Sequence, residues 1–325
     1  MLLTGQVRTF VGVLSLCGLL LNAGVAVSAS ADRYVEEARQ HLAKGESKAA
    51  VIELKNALQA DPANVEARLM LGSLQLLGND GAAAAKEFGR ARDLGAAKAD
   101  WLSGYARALM LQGQFQALLD EVQVDDTLDP MQRAELLALR GNAHLGLRQI
   151  EDAVAAYDAA LALQGGNPMA RLGKAQILLG ERREEEALAQ INEVLVDNPR
   201  HAESLLARGD LLRRMQRLDE AASDYALAAV ESPNNPRAHV GSALVHIAQR
   251  DIAAAKQDLA VLNRITRDLP AVNYLQALVS FQEKDFERAS DELQVLLRAA
   301  PSNLQAQLLY GIVSYGRNQF TIADD

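Results

Sequence analysis

Apolar residues recur along the chain at the spacing of one face of an amphipathic helix. Short turn segments interrupt this pattern at intervals. A representative stretch is AAVIELKNALQADPANVEARLMLG, which covers residues 49–72. Both of its ends carry apolar side chains at the spacing of one helix face. Between them lies Pro62, which has no backbone N–H and cannot continue a helix. The stretch therefore predicts one helix, a turn and a second helix.

This helix–turn–helix pattern returns at a constant period. A small residue recurs in the first helix of each repeat at steps of 34 residues, with one step of 35 between Ala106 and Gly141. The series is Ala38, Gly72, Ala106, Gly141, Ala175, Gly209, Ala243, Ala277 and Gly311. A second series lies twelve positions later: Ala50, Ala84, Leu118, Ala153, Ala187, Ala221, Ala255, Ala289 and Ala323. Because two helices approach closely only where both carry small residues, these series predict tightly packed helix pairs.

A large apolar residue follows the second series after one helical turn, where it can fill the space between the paired helices. These residues are Leu54, Phe88, Val122, Tyr157, Ile191, Tyr225, Leu259 and Leu293. All eight prolines fall in the connections between repeats, as their missing N–H requires. The repeats start near Ala31, Val65, Ala99, Ala134, Pro168, Ala202, Pro236, Pro270 and Leu304.

The joint spacing of small residue, alanine, large residue and proline resembles the tetratricopeptide repeat, over about residues 31 to 325. The resemblance implies an all-α, right-handed superhelical solenoid of about eight to nine 34-residue helix–turn–helix units. It places this solenoid at residues 32–325 and implies that the first helices line its concave face, where protein segments bind.

Two repeats depart from the pattern. The second helix of the third repeat reads FQALLDEVQVDDTLD, with Leu118 in place of alanine and Asp125 where a small residue belongs, so we predict a looser joint there. The last repeat stops at NQFTIADD, just inside its expected second helix. We expect the chain to be a fragment of a longer one; the alternative is a truncated gene product.

Residues 1–31 read as a targeting segment, because Arg8 is its only charged residue and small residues near Ala29 and Ala31 suit a signal peptidase. An uncleaved membrane anchor is the alternative, since about 20 uncharged residues can span a bilayer. A third interpretation makes Cys17 a lipidation site, although Leu16 is larger than lipoprotein signals favour. Each interpretation predicts export to the periplasmic side of the envelope, with membrane association through the N-terminus where the segment is retained or lipidated.

The composition narrows the function further. The net charge of −9 disfavours nucleic acid as a partner. Cys17 is the only cysteine, which excludes disulfides and thiolate zinc sites from the body.

No catalytic triad or phosphate-binding motif occurs. His41, His144 and His246 share one repeat position, which favours a packing role. The acidic run Asp120–Asp129 reads as a solvated turn. We therefore predict a non-enzymatic protein without cofactor or metal.

The resemblance implies which residues face the concave groove. The candidates for contact with a peptide are Arg39, Leu69, Met110, Asn142, Leu172, Gln176, Leu206, Asp210, Arg213, Arg214 and Tyr274. Charged members would clamp a protein or peptide segment and apolar members would contact its side chains. The alternative for each is an ordinary solvated or inter-repeat residue.

The stretch from Tyr34 to Gly95, above all KAAVIELKNALQADPANVEARLMLG, resembles the tetratricopeptide lipoproteins of the PEP-CTERM/exosortase system. This resemblance covers about two repeats and implies a periplasmic scaffold for exopolysaccharide export or exosortase-linked assembly, with envelope proteins as partners. Two alternatives stay open. The repeats could be the substrate-binding part of a larger enzyme such as a glycosyltransferase, or an adaptor for another secretion system.

Overall fold

The computed structural model describes residues 30–266 and 269–323, and over these ranges every regular element is an α-helix. The helices are α1 (30–43), α2 (Ser47–Ala60), α3 (Val65–Leu77), α4 (Gly81–Asp93), α5 (Lys98–Leu111), α6 (Phe115–Glu121), α7 (Pro130–Gly146), α8 (Ile150–Leu163), α9 (Pro168–Gly180), α10 (Glu184–Asp197), α11 (Ala202–Arg214), α12 (Leu218–Glu231), α13 (Pro236–Ala248), α14 (Ile252–Ile265), α15 (Pro270–Gln282), α16 (Phe286–Ala299) and α17 (Leu304–Ala323). The prediction of an all-α repeat fold is confirmed.

The contacts divide the chain into two parts, Met1–Ala170 and Arg171–Asp325, which we call the N-terminal half and the C-terminal half. In each half, odd-numbered helices are first helices of repeats and even-numbered helices are second helices. First helices pack both on the second helix of their own repeat and on neighbouring repeats, for example α3 on α4 and α5. A repeat therefore buries its apolar face only with the help of its neighbours.

In the N-terminal half, Phe88 and Tyr157 show why the small residues recur. A Cβ atom added at Gly104 would lie 2.3 Å from Cζ of Phe88, and one added at Gly72 would lie 3.0 Å from Cε2 of the same ring. A Cβ atom at Gly141 would lie 2.4 Å from Cε1 of Tyr157. Both rings are buried, at 2 % and 0 % exposure. The rings thus occupy the space that a side chain on the first helix would need.

The C-terminal half repeats this packing around Tyr225. Cβ atoms at Gly209 and Gly241 would lie 2.9 Å and 2.3 Å from Cε1 of its ring. Two successive first helices, α11 and α13, therefore contact one aromatic ring through glycine. The alanines at these positions in other repeats, such as Ala243 and Ala277, are also fully buried.

The turn between the two helices of a repeat places one residue in the left-handed region. The residues with φ between +60° and +76° are Gly45, Asn79, Gly113, Arg148, Arg182, Gln216, Arg250 and Lys284. The following N–H reaches back five residues, from Asp80 to the carbonyl of Gln75 at 2.8 Å and from Asp251 to that of His246 at 2.8 Å. This hydrogen bond is the Schellman closure of a helix C-terminus. Because six of the eight residues are not glycine, their types did not reveal this conformation.

Most first helices begin at the predicted repeat starts, and α7 is the clear exception. It begins at Pro130 instead of Ala134. The Asp129 carboxylate accepts hydrogen bonds from the N–H groups of Met131 and Gln132 at 2.9 Å and 3.0 Å. An aspartate cap followed by proline is a strong helix start, and it extends α7 by one turn.

The third repeat departs from the others where the sequence departs. Its second helix, α6, has 7 residues, whereas α4 has 13 and α8 has 14. Leu118 is fully buried in the place of the usual alanine. Arg140 of α7 donates hydrogen bonds to the carbonyls of Leu119 and Val122, at 2.9 Å and 3.0 Å, and so satisfies the end of the shortened helix. Greater mobility at this joint stays a prediction.

At the other end of the described chain, α17 corrects an expectation. It runs as one helix over 20 residues, so the expected turn into a second helix does not form. Such a turn is stabilised mainly when the following helix packs back on the first. Residues 1–29 of the targeting segment, which include Cys17, lie outside the described residues. Within those residues, no helix combines the length and the apolar character needed to cross a membrane.

The contact between Gly141 and Tyr157 gives a direct test of the packing. We expect Gly141→Ala to lower the free energy of unfolding by about 1–3 kcal/mol, because its methyl group would overlap the Tyr157 ring. Urea denaturation followed by circular dichroism measures the change.

Gly89→Ala is the matched control for that variant. Gly89 lies inside α4 and a Cβ atom there would meet nothing within 4 Å. The control should raise stability by about 0.5–1 kcal/mol, since alanine is the better helix former. Equal effects of both variants would show that the ring does not need the glycine.

Candidate functional site

A groove in the N-terminal half lies along three first helices, α3, α5 and α7. Its cavity volume is about 790 Å³. The apolar part of its lining comprises Leu76, Leu77, Phe88, Gly104, Met110, Leu111 and Leu139, and the polar part comprises Ser73, Asp100, Ser103 and Arg107. Residues of three first helices therefore line this groove.

The apolar floor follows from the repeat period. Leu76 and Met110 occupy the same position in successive first helices, and so do Leu77 and Leu111. Leu77 is 83 % exposed and Leu111 is 47 % exposed, although both are large apolar residues. Neighbouring exposed apolar side chains at the mouth of a cavity mark a surface for a ligand or a protein partner.

Ion pairs link successive first helices along the polar edge of the groove. Arg107 of α5 donates to the Glu135 carboxylate of α7 at 2.6 Å, and Arg39 of α1 pairs in the same way with Glu66 of α3. Asp100 occupies the repeat position of Glu66 and Glu135, but Ser73 occupies the repeat position of their partners Arg39 and Arg107. Among the residues that the structure describes, Asp100 is therefore a carboxylate at the groove without a basic partner.

The C-terminal half carries a charged network on its first helices. The Tyr225 hydroxyl donates to Asp210 at 2.6 Å, and Arg237 donates to Asp210 at 2.8 Å and to Glu203 at 2.6 Å. Burial raises the pKa of Tyr225 above its usual value, and the hydrogen bond to the Asp210 carboxylate raises it further. The network fixes the edge of the Tyr225 ring.

Basic residues of α11 take the place that leucines hold in the N-terminal half. Arg213 and Arg214 occupy the repeat positions of Leu76 and Leu77. Arg214 pairs with Glu184 at 2.9 Å, and the buried Nε of Arg213 has no hydrogen-bond acceptor among the described residues. The same position of a first helix is thus apolar in α3 and α5 and basic in α11.

The predicted contact residues fall into three groups. The exposed ones are Arg39, Gln176 and Arg214, and the half-buried ones are Leu69, Met110, Asn142, Leu172, Asp210, Arg213 and Tyr274. Leu206 is only 1 % exposed and lies in the core with Leu172 packed against that core, so it offers no surface to a ligand. Asn142 is already engaged, because it accepts the Tyr157 hydroxyl hydrogen at 2.7 Å.

Of the predicted residues in the N-terminal half, only Met110 lines the cavity. The structure adds Leu76, Leu77, Leu111 and Asp100, which the sequence analysis missed. The repeat position of Met110 could have identified the three leucines. Leu76 occupies the same repeat position, and Leu77 and Leu111 occupy the position after it. Nothing in the residue types marked Asp100 as the carboxylate that lacks a basic partner.

The shared histidine position proves to be a hydrogen-bonding position. Nδ1 of His41 lies 2.6 Å from Glu46, that of His144 lies 2.8 Å from Gln149, and that of His246 lies 2.8 Å from Asp258. The rings therefore join polar partners near the turn or on the second helix. In the described residues no group of three histidine, aspartate or glutamate side chains has the geometry of a metal site.

The acidic run of the third repeat is held by local contacts. Asp125 pairs with Lys98 and accepts hydrogen bonds from Thr127, and these contacts lower the pKa of Asp125 to about 2. Arg133 pairs with Asp126 at 2.8 Å. These contacts fit the predicted exposed turn, with basic neighbours that balance part of its charge.

Comparison with known proteins identifies the repeat. A tetratricopeptide repeat profile matches residues 35–98, 139–202, 182–236 and 206–265, which together cover more than half of the 325 residues. No curated protein matches the sequence.

Several solved structures are similar over most of the chain. A tetratricopeptide repeat protein from Parabacteroides merdae has 16 % identity and a TM-score of 0.45, covering 88 % of this chain and 99 % of its own. PilF from Pseudomonas aeruginosa has 15 % identity and a TM-score of 0.41, covering 88 % and 99 %. PilW, a type IV pilus biogenesis factor, has 13 % identity and a TM-score of 0.46, covering 86 % and 97 %.

The hydroxyl contacts of the two buried tyrosines predict different stabilities for their phenylalanine variants. Tyr225→Phe removes a hydrogen bond to a carboxylate, and we expect it to lower the free energy of unfolding by about 1.5–3 kcal/mol. Tyr157→Phe removes a hydrogen bond to a neutral amide and should cost about 0.5–1.5 kcal/mol. Urea denaturation measures both; a larger loss for Tyr157→Phe would contradict the ranking.

Proposed function

The chain belongs to the tetratricopeptide repeat family, and we propose from this premise that it is a non-enzymatic scaffold that binds a protein segment in the groove along α3, α5 and α7. The observation that carries the proposal is the row of exposed leucines beside a cavity of about 790 Å³. A segment with apolar side chains would cover Leu77 and Leu111. Burying such side chains contributes roughly 1.5–3 kcal/mol each to binding.

Charges around the groove favour particular partners. Asp100 is the carboxylate at the groove that lacks a basic partner among the described residues, so it favours a lysine or arginine beside the apolar anchors of the ligand. Arg107 is already paired with Glu135 and contributes less charge to a ligand. In the C-terminal half, Arg213, Arg214 and Asp210 are candidates for clamping a polar part of a partner, together with Gln176 and Tyr274.

We place this scaffold on the periplasmic side of the bacterial envelope, in exopolysaccharide export or exosortase-linked assembly. Two sequence features support the placement: the uncharged stretch after Arg8 and the resemblance of Tyr34–Gly95 to exosortase-system proteins. Cys17 is the candidate lipidation site if the segment is processed as a lipoprotein signal. The partners would be proteins of the same envelope machinery.

Binding in the groove predicts a site-specific cross-link. A photo-reactive amino acid at Leu111, introduced in cells, should cross-link to a small set of envelope proteins identified by mass spectrometry. The same group at Val196, an exposed residue of α10 in the C-terminal half, is the control. Recovery of polysaccharide-export or exosortase proteins at Leu111 alone supports the proposal; identical products at both positions contradict it.

Variants at the exposed leucines test the energetics. We expect Leu77→Ser with Leu111→Ser to weaken binding of a partner captured at Leu111 by tenfold or more, because each loses roughly 1.5–3 kcal/mol of apolar burial. Stability should change by less than about 0.5 kcal/mol, as is usual for surface substitutions. Val196→Ser is the matched control and should leave binding unchanged. Unaltered binding by the double variant would remove the groove from the proposal.

Export is tested separately. Residues 1–31 fused to a reporter that is active only outside the cytoplasm should give activity, and Arg8→Glu should reduce it because the positive charge before the apolar run is reversed. Cys17→Ser separates the interpretations. Loss of membrane attachment in this variant supports lipidation, whereas unchanged attachment supports an anchor, and an inactive fusion contradicts export.

A further inference from the structure

The ion pairs that link successive first helices are interrupted at one place in the groove. Arg107 of α5 pairs with Glu135 of α7, and the same two repeat positions pair α1 with α3. In α3 and α5 these positions hold Ser73 and Asp100, which both line the cavity. Because serine carries no charge, Asp100 is left as an exposed carboxylate with no basic partner among the described residues.

The other charged side chain of the described cavity lining does not replace the absent arginine. Arg107 lies seven residues after Asp100 on α5, and its guanidinium is bound to the Glu135 carboxylate at 2.6 Å. Since that pair is balanced within the protein, the cavity keeps the single negative charge of Asp100. A ligand that brings one cation to this position would complement the charge.

The carboxylate and the exposed leucines lie at opposite ends of one face of α5. Asp100, Arg107 and Leu111 follow one another at intervals of seven and four residues, which keeps them on the same side of the helix. At 1.5 Å per residue, the distance along α5 from Asp100 to Leu111 is roughly 16 Å. Leu77 of α3 shares the repeat position of Leu111 and lines the same cavity, so the two leucines mark its apolar end.

A helix fits this surface better than an extended segment does. The cavity is lined by side chains of three helices, whose backbone N–H and C=O groups are bonded within each helix. An extended segment would bury its own backbone groups against leucine and methionine, with few hydrogen-bond partners. A helix satisfies its backbone internally and presents side chains alone. On a helix that lies along α5, roughly 16 Å separates residues about eleven positions apart.

We propose that the groove selects an amphipathic helix with a lysine or arginine about eleven residues from a pair of apolar side chains, a specificity that rests on the proposed binding function. The cation of the ligand would take the place of the arginine that α3 lacks at Ser73 and would pair with Asp100. The apolar side chains would cover Leu77 and Leu111. Asp100 thus discriminates between basic and uncharged amphipathic helices.

Selection from a phage-displayed library of random peptides of about 18 residues, with the full chain as target, tests this ligand class. Enriched peptides should carry lysine or arginine about ten to twelve positions from paired leucine, methionine or phenylalanine. Against Asp100→Asn the apolar residues should persist and the basic preference should vanish. Asp152→Asn is the matched control, because it removes one exposed carboxylate of the second helix α8, and it should retain both preferences.

Ser73→Arg tests the same contact from the other side. It places an arginine where α1 and α5 have one, so its guanidinium should pair with Asp100 and exclude the cation of the ligand. We expect the affinity of an enriched basic peptide, measured by fluorescence anisotropy, to fall about tenfold or more with Ser73→Arg and with Asp100→Asn. Ser73→Gln, a long side chain without charge, should keep the affinity within about threefold, as an ordinary surface substitution does. Circular dichroism checks that each variant is folded.

Different results overturn the selection of a basic helix and the binding function itself. Apolar peptides without a basic preference, a preference that Asp100→Asn retains, or equal losses with Ser73→Arg and Ser73→Gln overturn the selection alone. A basic residue only about five positions from the apolar pair also overturns it, since an extended chain spans the same distance in that number of residues. No enriched peptide, or peptides whose binding survives Leu77→Ser with Leu111→Ser, contradicts the binding function as well.

Discussion

The close contact between a large side chain on each second helix and a small residue on the adjoining first helices holds the repeats together. Around Tyr225 this contact involves glycines of both α11 and α13, so one ring joins its own repeat to the next. Packed interiors tolerate little change of volume, and a single methyl group at such a position is felt. The contact therefore sets the distance between successive first helices. That distance decides which of their other residues can contact one another along the groove.

The groove is a consequence of this packing. When the small residues of a first helix face the second helix, positions on another face line the groove. In α3 and α5 these positions hold leucine and methionine, and in α11 they hold Arg213 and Arg214. Ion pairs such as Arg107 with Glu135 then link one first helix to the next along the edge. One backbone arrangement thus carries apolar side chains at this position in α3 and α5 and basic ones in α11.

The third repeat lacks the standard contact and compensates for it with local substitutions. In the third repeat Leu118 fills the place of alanine, α6 is short, and Arg140 satisfies the carbonyls that the missing helical turn leaves. The substitution preserves burial in this repeat.

The sequence by itself determined the all-α class, the repeat period and the residues of the internal contact, including Phe88, Tyr157 and Tyr225. It could do so because every repeat meets nearly the same neighbours, which selects the same small and large residues at each period. Only the tertiary structure decided that Leu206 is buried while Leu77 is exposed, and that Asp100 lines the cavity without a basic partner among the described residues. The physical reason is that exposure and pairing depend on the particular side chains of the adjacent repeat, which differ from one repeat to the next and are brought into contact only by folding.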